Sequence, residues 1–173
     1  RVGCAIDPGR RVFSLTRAEK SLLAIGRALE VHARLLVLDE PSASLPAADV
    51  ERLFGVLRGL RREGVGMVYV SHRLDEVMAI SDRAAVMRDG KLVAVRDTAA
   101  SSESELVALI VGQHLGSQVP RARGAVARPA DAAAEAPLLE LRGAAAANAG
   151  PLDLQLHRGE VLGLVGLRGA GHD

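Results

Sequence analysis

One segment of the sequence, residues 35–42, limits the possible folds more than any other. It reads Leu-Leu-Val-Leu-Asp-Glu-Pro-Ser, so four apolar residues run directly into two carboxylates and a proline. A short continuous apolar run predicts a parallel strand buried on both faces, because a half-exposed strand would alternate apolar and polar residues. Asp39 and Glu40 would then lie at the carboxyl edge of an α/β sheet, where such folds bind ligands. The alternative is a core strand that ends at a polar surface turn.

Composition narrows the class of protein. The 173 residues suffice for one domain, or for one domain and part of another. Hydrophobic residues make up 49% of the chain and aromatic residues only 2%, so the core must be aliphatic. A net charge of +1 gives no indication of a nucleic-acid partner. Cys4 is the only cysteine, which excludes an internal disulfide and favours a reducing compartment.

Two further observations concern membranes and chain length. No apolar run in the sequence approaches the roughly 20 residues that are needed to span a bilayer. The sequence begins Arg-Val-Gly-Cys, without an initiator methionine or a signal-peptide pattern. We therefore expect an internal part of a longer chain.

Two helix starts are marked by residues that can cap free backbone groups. Thr16 with Glu19, and Ser102 with Glu105, have the spacing of a capping box. The N-terminus of a helix can also bind an anion, although structural capping is the more common use of such an end. The apolar residues expected on the buried faces of the helices are Leu22, Ile25, Leu29, Val50, Leu53, Phe54, Leu57, Leu60, Leu74, Val77, Met78, Leu106, Leu109 and Ile110.

A histidine ends the second predicted strand, which covers residues 66–72. Because neighbouring strands of a parallel sheet end at the same edge, His72 is expected near Asp39 and Glu40. A lone histidine at a strand end is more often a surface or capping residue. His72 is a candidate site residue only because it is expected near the two acids.

The remaining pattern indicates an α/β domain followed by a second unit. Residues 84–95 predict a hairpin, and residues 16–111 together read helix, strand, helix, strand, helix, hairpin, helix. Residues 113–137 are rich in Ala, Arg, Gly and Pro, which predicts an exposed flexible linker. Residues 138–173 contain two strand patterns but are too few to bury a core alone. The predicted division is therefore a first domain over 1–112, the linker over 113–137 and a truncated second domain over 138–173.

Taken together, these segments resemble the ATP-binding subunit of ABC transporters, and within it the ribose-, xylose- and galactose-type carbohydrate importers with two tandem nucleotide-binding domains. The resemblance implies a P-loop NTPase-type parallel sheet with helices. The chain would comprise the C-terminal half of one domain, a linker and the β-rich start of a second. The matching segments are 36–41 (Walker B), 44–45 (D-loop), 71–72 (H-loop), 88–91 (the following hairpin), 109–112 (the end of the first domain) and 159–166 (the strand before the second phosphate loop).

The resemblance also implies roles for individual residues. Phosphoryl transfer to water needs a metal that neutralises charge and a group that orients the water. By the resemblance, Asp39 would hold Mg²⁺ largely through water, Glu40 would position or deprotonate the attacking water, and His72 would contact the γ-phosphate of ATP. The nucleotide-contacting residues that it further implies are Thr16, Arg17, Ala18, Glu19, Ser44, Gly166, Gly169 and Gly171.

The sequence departs from the family pattern in the signature segment, the D-loop and the phosphate loop. The signature usually reads Leu-Ser-Gly-Gly-Gln, and here Ala18 replaces a glycine that lets the backbone approach phosphate, while Pro46 replaces the Asp that often closes the D-loop. After Gly166 and Gly171, His172 and Asp173 stand where a phosphate loop needs Lys and Ser or Thr. Without a complete Lys-bearing phosphate loop, we expect the 173 residues alone to hydrolyse no ATP.

The favoured hypothesis is part of the ATP-hydrolysing subunit that energises sugar uptake through an ABC importer. The implied partners are membrane permease subunits, through them a sugar-binding protein, and a second nucleotide domain in a head-to-tail ATP sandwich. The implied location is peripheral, at the cytoplasmic face of the cell membrane. The alternatives are a soluble ABC protein that acts as a conformational switch without a permease, and a decayed remnant without activity. The balanced charge and the plain Ala/Pro linker favour the importer.

Overall fold

The structure, a computed structural model, describes residues 6–30, 32–43, 45–112, 136–146 and 149–166. It has the mixed α/β class that the sequence predicts. Its helices are α1 (Arg17–Glu30), α2 (Ala47–Arg62), α3 (Leu74–Ile80) and α4 (Glu103–Val111), with short 3-10 turns at Val12–Ser14 and Thr98–Ala100. Its strands are β1 (Leu35–Asp39), β2 (Gly66–Val70), β3 (Arg83–Arg88), β4 (Lys91–Asp97), β5 (Leu139–Ala146), β6 (Ala149–Leu156) and β7 (Val161–Gly166).

Five of these strands form one sheet in the order β1-β2-β7-β3-β4. The first four in that order run parallel, and β4 pairs antiparallel with β3. The register aligns Asp39 with Val70 and Val70 with Leu164. The carboxyl ends of β1, β2 and β7 therefore meet at one edge of the sheet, the edge at which ligands bind in folds of this class.

Strand β7 occupies the centre of this sheet, between β2 and β3. It comes from the segment that the sequence assigns to a second domain, so the sheet is continuous across the predicted boundary. Leu156, Val161, Leu162 and Val165 are almost fully buried. Residues 138–173 are too few to bury a core alone. Here these apolar side chains are buried against the segment that the sequence assigns to the first domain. The division of a longer chain into two domains stays a prediction.

Two apolar clusters cover the two faces of the sheet. Side chains from α1, α2, α3 and α4 pack on one face, with Leu53, Phe54 and Leu57 at the centre of the cluster. The antiparallel pair of β5 and β6 packs on the other face, where Leu154 and Leu156 meet Val68, Val70, Ala85 and Leu162. The result is three layers, with the helices on one face of the five-stranded sheet and the β5–β6 pair on the other. This is expected for a domain that buries both faces of its strands.

The local elements form for the reasons that the sequence suggests. Thr16 and Glu19 cap α1 reciprocally, with Thr16 N–H donating to Glu19 Oε2 at 2.7 Å and Glu19 N–H donating to Thr16 Oγ1 at 3.2 Å. Ser102 and Glu105 form the same capping box on α4. The five apolar residues predicted for α2 are all buried. No helix in the described parts of the chain is both long enough and apolar enough to cross a membrane.

One prediction about β1 is wrong. The strand is parallel, as expected, but it is not buried on both faces, because Leu36 is buried while Val37 is 65% exposed. β1 lies at the end of the sheet and pairs only with β2 among the described strands. Val37 pairs with Val68 on the face that β5 and β6 cover, and Val68 is buried there while Val37 is not. An apolar run therefore predicted a parallel strand correctly, but it carried no information on whether that strand is central.

Candidate functional site

The carboxyl ends of β1 and β2 bring two of the predicted site residues into contact. Glu40 directly follows β1, and His72 lies two residues after the end of β2. Nδ1 of His72 is 2.6 Å from Oε1 of Glu40, and the main-chain N–H of His72 donates to the same oxygen at 3.1 Å. The expected proximity of the histidine and the acid is present in the structure.

Glu40 and His72 form a partly exposed acid–base pair, with 30% and 42% of their side chains accessible. Because Nδ1 of His72 faces a carboxylate oxygen, Nδ1 carries a proton, in the neutral ring or in the imidazolium. Nε2 is then the ring nitrogen that is left for another partner. Oε2 of Glu40 is buried and has no hydrogen-bond partner among the described residues. A buried carboxylate oxygen of this kind calls for a water molecule or a cation.

The backbone at Glu40 aims its side chain toward β2. Glu40 has a φ of 43°, in the left-handed region that residues other than glycine seldom adopt and that costs about 1–2 kcal/mol. Its N–H donates to the carbonyl of Val70 at 3.0 Å, and its own carbonyl accepts from Ala43 N–H at 3.1 Å. The neighbouring strand and the following turn thus hold Glu40 in a strained conformation, and such strain is concentrated at functional sites.

A buried polar cluster adjoins this pair, and we call Ser42, Tyr69, Ser71 and Glu76 the Glu76 cluster. The side chain of Glu76 is 2% exposed. Its Oε2 accepts from the Tyr69 hydroxyl at 2.7 Å, from the Ser42 hydroxyl, and more weakly from the Ser71 hydroxyl at 3.4 Å. Ser42 is two residues from Glu40 and Ser71 precedes His72, so the cluster ties both chain segments of the pair to α3.

One arginine pairs with the buried carboxylate of the Glu76 cluster and with a second acid beside it. Nη1 of Arg73 lies 2.8 Å from Oε1 of Glu76, and Arg73 also binds Asp75 at 3.0 Å. The hydrogen bond that Arg73 donates to Asp75, and the charge of Glu76, raise the pKa of Arg73, so its cation persists. Burial, and to a lesser degree the adjacent carboxylate of Glu76, raise the pKa of Tyr69, so its hydroxyl stays a donor. A buried carboxylate with these partners escapes most of the penalty that an isolated charge would suffer.

Sequence reasoning missed the Glu76 cluster, although one signal was available. Glu76 stands four positions before the buried Ile80 and therefore on the apolar face of α3. An acid on such a face needs a buried partner, which could have directed attention to Tyr69 in the middle of β2. Ser42 carries no comparable signal, because serine after proline is common in turns.

Asp39 suits the metal-binding role that the resemblance implies. It is the last residue of β1 and is exposed. No side-chain contact of its carboxylate with another described residue is present. Its exposed carboxylate offers hard oxygen ligands at the ligand-binding edge of the sheet. The described residues contain no cluster of three metal-binding side chains. Such a sparse donor set fits Mg²⁺, which usually keeps several waters and binds one or two carboxylates plus phosphates.

The N-terminus of α1 is a capped helix end apart from the Glu40–His72 pair. No described hydrogen bond or ion pair connects Thr16, Arg17, Ala18 or Glu19 with that pair. The Thr16 main-chain N–H and hydroxyl lower the pKa of Glu19 against the opposing effect of desolvation, and Arg10 adds to the lowering. Ala18 is buried, so its side chain faces the protein interior. Binding of a nucleotide by these four residues stays a prediction.

The glycines of the predicted phosphate loop are only partly within the described chain. Gly166 ends β7 and pairs with Met87 in β3 at the same sheet edge as His72. Gly169, Gly171 and Ser44 lie outside the described residues. Their predicted contacts with nucleotide therefore stay predictions.

Comparison with known proteins identifies close relatives over almost the whole chain. No protein-family model matches it. A ribose import ATP-binding protein of Rubrobacter xylanophilus is 44% identical over 174 residues, which cover 98% of this chain and 31% of that protein. A ribose import ATP-binding protein of Burkholderia ambifaria is 40% identical over 172 residues, covering 99% of this chain and 33% of that protein.

A further relative carries a broader description. It is a putative ribose/galactose/methyl galactoside import ATP-binding protein of Burkholderia ambifaria, 39% identical over 172 residues, which cover 99% of this chain and 32% of that protein. The chain therefore spans about a third of the length of the curated relatives that it matches.

Proposed function

We propose that this chain belongs to the ATP-binding family of carbohydrate ABC importers, and that it contributes catalytic residues to a subunit that hydrolyses ATP to drive sugar uptake. The relatives are described as importing ribose, or ribose and galactosides. The activity of the whole subunit is proposed here from a chain that matches about a third of their length.

The contact between Glu40 and His72 is the observation that carries this proposal. Oε1 of Glu40 is engaged by His72 at 2.6 Å, while Oε2 has no partner among the described residues. Oε2 is thus the oxygen that would accept a proton as a general base, once a water molecule reaches its buried position. With Nδ1 turned to Glu40, His72 keeps Nε2 for a phosphoryl oxygen. One histidine would in this way link the phosphate to the group that orients the water.

Asp39 would hold the magnesium ion of the bound nucleotide, largely through water. When bound, Mg²⁺ supplies the positive charge that phosphoryl transfer needs. The residues of this chain would orient the water, through Glu40, and hold the phosphate, through His72 and the main chain that begins at Gly166. The Glu76 cluster would keep both segments in place.

The partners of the proposed subunit follow from its proposed role in sugar import. The conformational change that accompanies ATP hydrolysis would be transmitted to a membrane permease, and through it to a sugar-binding protein. A second nucleotide-binding domain would close the ATP site head to tail. The subunit would then act at the cytoplasmic face of the membrane.

Binding of magnesium nucleotide at the Glu40–His72 edge is the direct test on this chain. The imidazole signals of His72 are followed by NMR while Mg²⁺–ATP is added, and substitution of His72 by Gln assigns them. We expect the His72 signals to shift with Mg²⁺–ATP. The matched control is His32, which lies before the amino end of β1 and so at the opposite edge of the sheet. Its signals should stay unchanged.

A second experiment distinguishes the contribution of Mg²⁺ to the His72 shift from that of the phosphate groups. Asp39→Asn should weaken the dependence of the His72 shift on Mg²⁺ while leaving the fold intact, because Asp39 is exposed. If His72 and His32 shift equally, or if neither responds at millimolar Mg²⁺–ATP, this edge is not a nucleotide site and the proposal fails.

A further inference from the structure

The carboxylate of Glu76 contacts the residues on both sides of His72. Its Oε1 lies 2.8 Å from Nη1 of Arg73, which follows His72 in the chain. Its Oε2 accepts from the hydroxyl of Ser71, which precedes His72, at 3.4 Å. The Ser71 hydroxyl in turn accepts from the main-chain N–H of Arg73 at 3.1 Å. His72 is therefore held between two residues whose side chains bind the same buried acid.

The same carboxylate also fixes the turn that carries Glu40. The N–H of Ala43 donates to the carbonyl of Glu40 at 3.1 Å, which closes a turn over residues 40–43. The hydroxyl of Ser42, inside this turn, donates to Oε2 of Glu76. The left-handed backbone of Glu40 is unfavourable for a residue with a side chain, so it persists only where neighbouring contacts impose it. The bond from Ser42 to Glu76 is a contact of this kind.

Glu76 can serve as an anchor because α3 is itself packed into the core. Val77 and Ile80, on the same helix, are buried in the cluster that covers this face of the sheet. The hydroxyl of Tyr69 adds a bond from β2 to Oε2 of Glu76 at 2.7 Å. The acid is thus attached to both the helix and the sheet, and the residues that bind it share one fixed point.

We propose that Glu76 is a positioning residue for the proposed reaction, and that it selects the form of His72 in which Nδ1 carries the proton. By holding the three residues described above, it keeps Nδ1 of His72 on Oε1 of Glu40, at 2.6 Å. Nε2 is then the nitrogen that is directed to a ligand, and it donates to an anion when the ring is cationic. The value of this arrangement for catalysis rests on the proposed function, whereas the positioning of His72 requires no nucleotide.

The first experiment replaces Glu76 by residues of similar size with and without a side-chain acceptor. Glu76→Leu removes the acceptor and fills the space, whereas Glu76→Gln keeps an oxygen that can accept from the hydroxyls. The chemical shifts of the two ring nitrogens of His72 are measured without nucleotide, at a pH where the ring is neutral, because they report which nitrogen carries the proton.

Glu76→Leu should lower the share of the Nδ1-protonated ring by about twofold or more, since the bond to Glu40 that selects this form is loosened. Glu76→Gln should lower it less. An unchanged share in Glu76→Leu, or a loss as large in Glu76→Gln as in Glu76→Leu, would overturn the proposal.

Leu57→Ala is the control for a merely structural role of Glu76. Leu57 is buried on α2 and has no polar side chain, so its loss should lower the thermal midpoint without changing the ring nitrogens of His72 in the folded chain. His32, at the opposite edge of the sheet, is the internal reference for every variant. A loss of the Nδ1-protonated form in Leu57→Ala as large as that in Glu76→Leu would show that it follows stability alone, and would overturn the proposal.

Ser42→Ala keeps the proposal testable if Glu76→Leu does not fold. It removes the hydroxyl that joins the turn of Glu40 to Glu76. The main-chain N–H of His72 donates to Oε1 of Glu40 at 3.1 Å, so hydrogen exchange of this amide reports whether Glu40 keeps its place. Ser42→Ala should speed this exchange by about fivefold or more relative to the amide of Met67, which is bonded within the sheet. An unchanged ratio of the two rates would contradict the proposal.

Addition of Mg²⁺–ATP distinguishes a failure of this proposal from a failure of the proposed function. In the unmodified chain, the shift of the His72 signals tests the nucleotide site alone. Where that shift is present, Glu76→Leu should reduce it severalfold at the same nucleotide concentration, because Nε2 is no longer directed to the phosphate. A full shift in Glu76→Leu would mean that His72 is positioned without Glu76, and would overturn the proposal. If the unmodified chain shows no shift, the proposed function fails, and the ring-nitrogen shifts measured without nucleotide decide the role of Glu76.

Discussion

The hydroxyl of Tyr69 donates a 2.7 Å hydrogen bond to Oε2 of Glu76, and both side chains are buried. This bond joins β2 to α3 within a core that is otherwise largely apolar. A carboxylate in such a place is tolerated only while its donors remain. The stability of the Glu40–His72 edge therefore depends on polar residues that are not themselves expected to touch nucleotide.

Tyr69→Phe removes one donor from Glu76 and leaves the ring in place. The ring packs edge to face against Phe54, with centroids 6.1 Å apart, so the apolar contact is retained. We expect a loss of about 1–3 kcal/mol in the free energy of unfolding, because a buried acceptor loses a partner. Urea unfolding followed by circular dichroism measures it.

The same bond can be tested for coupling with Ser42. Ser42→Ala removes the second hydroxyl donor to Glu76 Oε2. In a double-mutant cycle the two losses should not add, because both variants act on the same carboxylate. Additive losses would show that the two hydroxyls act independently of Glu76.

Leu57→Ala should destabilise the protein by about 2–5 kcal/mol, the range for a large core residue that leaves a cavity. Leu57 is 0% exposed and lies at the centre of the helix face of the sheet. The matched control is Val107→Ala on α4, whose side chain is 42% exposed and whose loss should cost less than about 0.5 kcal/mol. The midpoints of urea unfolding compare the two variants, and similar shifts would argue against this packing.

The capping box of α1 predicts a dependence of stability on pH. The folded state lowers the pKa of Glu19, chiefly through the N–H of Thr16. A carboxyl with a lowered pKa stabilises the fold above its unfolded pKa, and this contribution is lost as the pH falls through its folded pKa. Glu19→Gln should therefore lose less stability than the unmodified protein as the pH falls below 4.5, the ordinary pKa of this carboxyl group.

The control for this pH effect is Glu103→Gln at the exposed start of α4. Thermal midpoints are recorded over the same pH series for all three proteins. The curve of Glu19→Gln should be flatter than the other two on the acid side. Curves of equal steepness would contradict the role of Glu19 as an ionised cap.

The purified 173-residue chain is expected to release no phosphate from Mg²⁺–ATP above the background rate. The physical reason lies in the sequence, where His172 and Asp173 occupy the positions at which a phosphate loop needs Lys and a hydroxyl. A coupled phosphate assay measures release, and Glu40→Gln serves as the reference. Turnover that is present in the chain and vanishes in Glu40→Gln would contradict the expectation.

Features that depend on nearby residues could be predicted from the sequence. The capping boxes at Thr16 and Ser102 and the apolar stripe of α2 follow from periodicity and from hydrogen-bonding residues three positions apart. The contact of His72 with Glu40 was also predictable, because two parallel strands that end in polar residues must present them at one edge.

Features that depend on the arrangement of strands could not be predicted in the same way. The exposure of Val37 follows from the position of β1 at the end of the sheet, which an apolar run does not reveal. The insertion of β7 between β2 and β3 depends on Gly163 and Glu160 fitting α3 and Arg83, and these partners are distant in sequence. Glu76 and Ser42, which share a hydrogen bond, are also 34 positions apart in the sequence.

The central position of β7 also determines when the sheet can close during synthesis. β1, β2, β3 and β4 precede β7 in the chain, yet β7 separates β2 from β3. While the chain emerges from the ribosome, the edges of β2 and β3 that β7 will occupy stay unpaired by β7 until residues 161–166 have been made. Pairing over such distances is slow because the loop must close before any contact forms, and open edges invite association with other chains. The strand at the centre of this sheet is thus made after the other four strands of the same sheet.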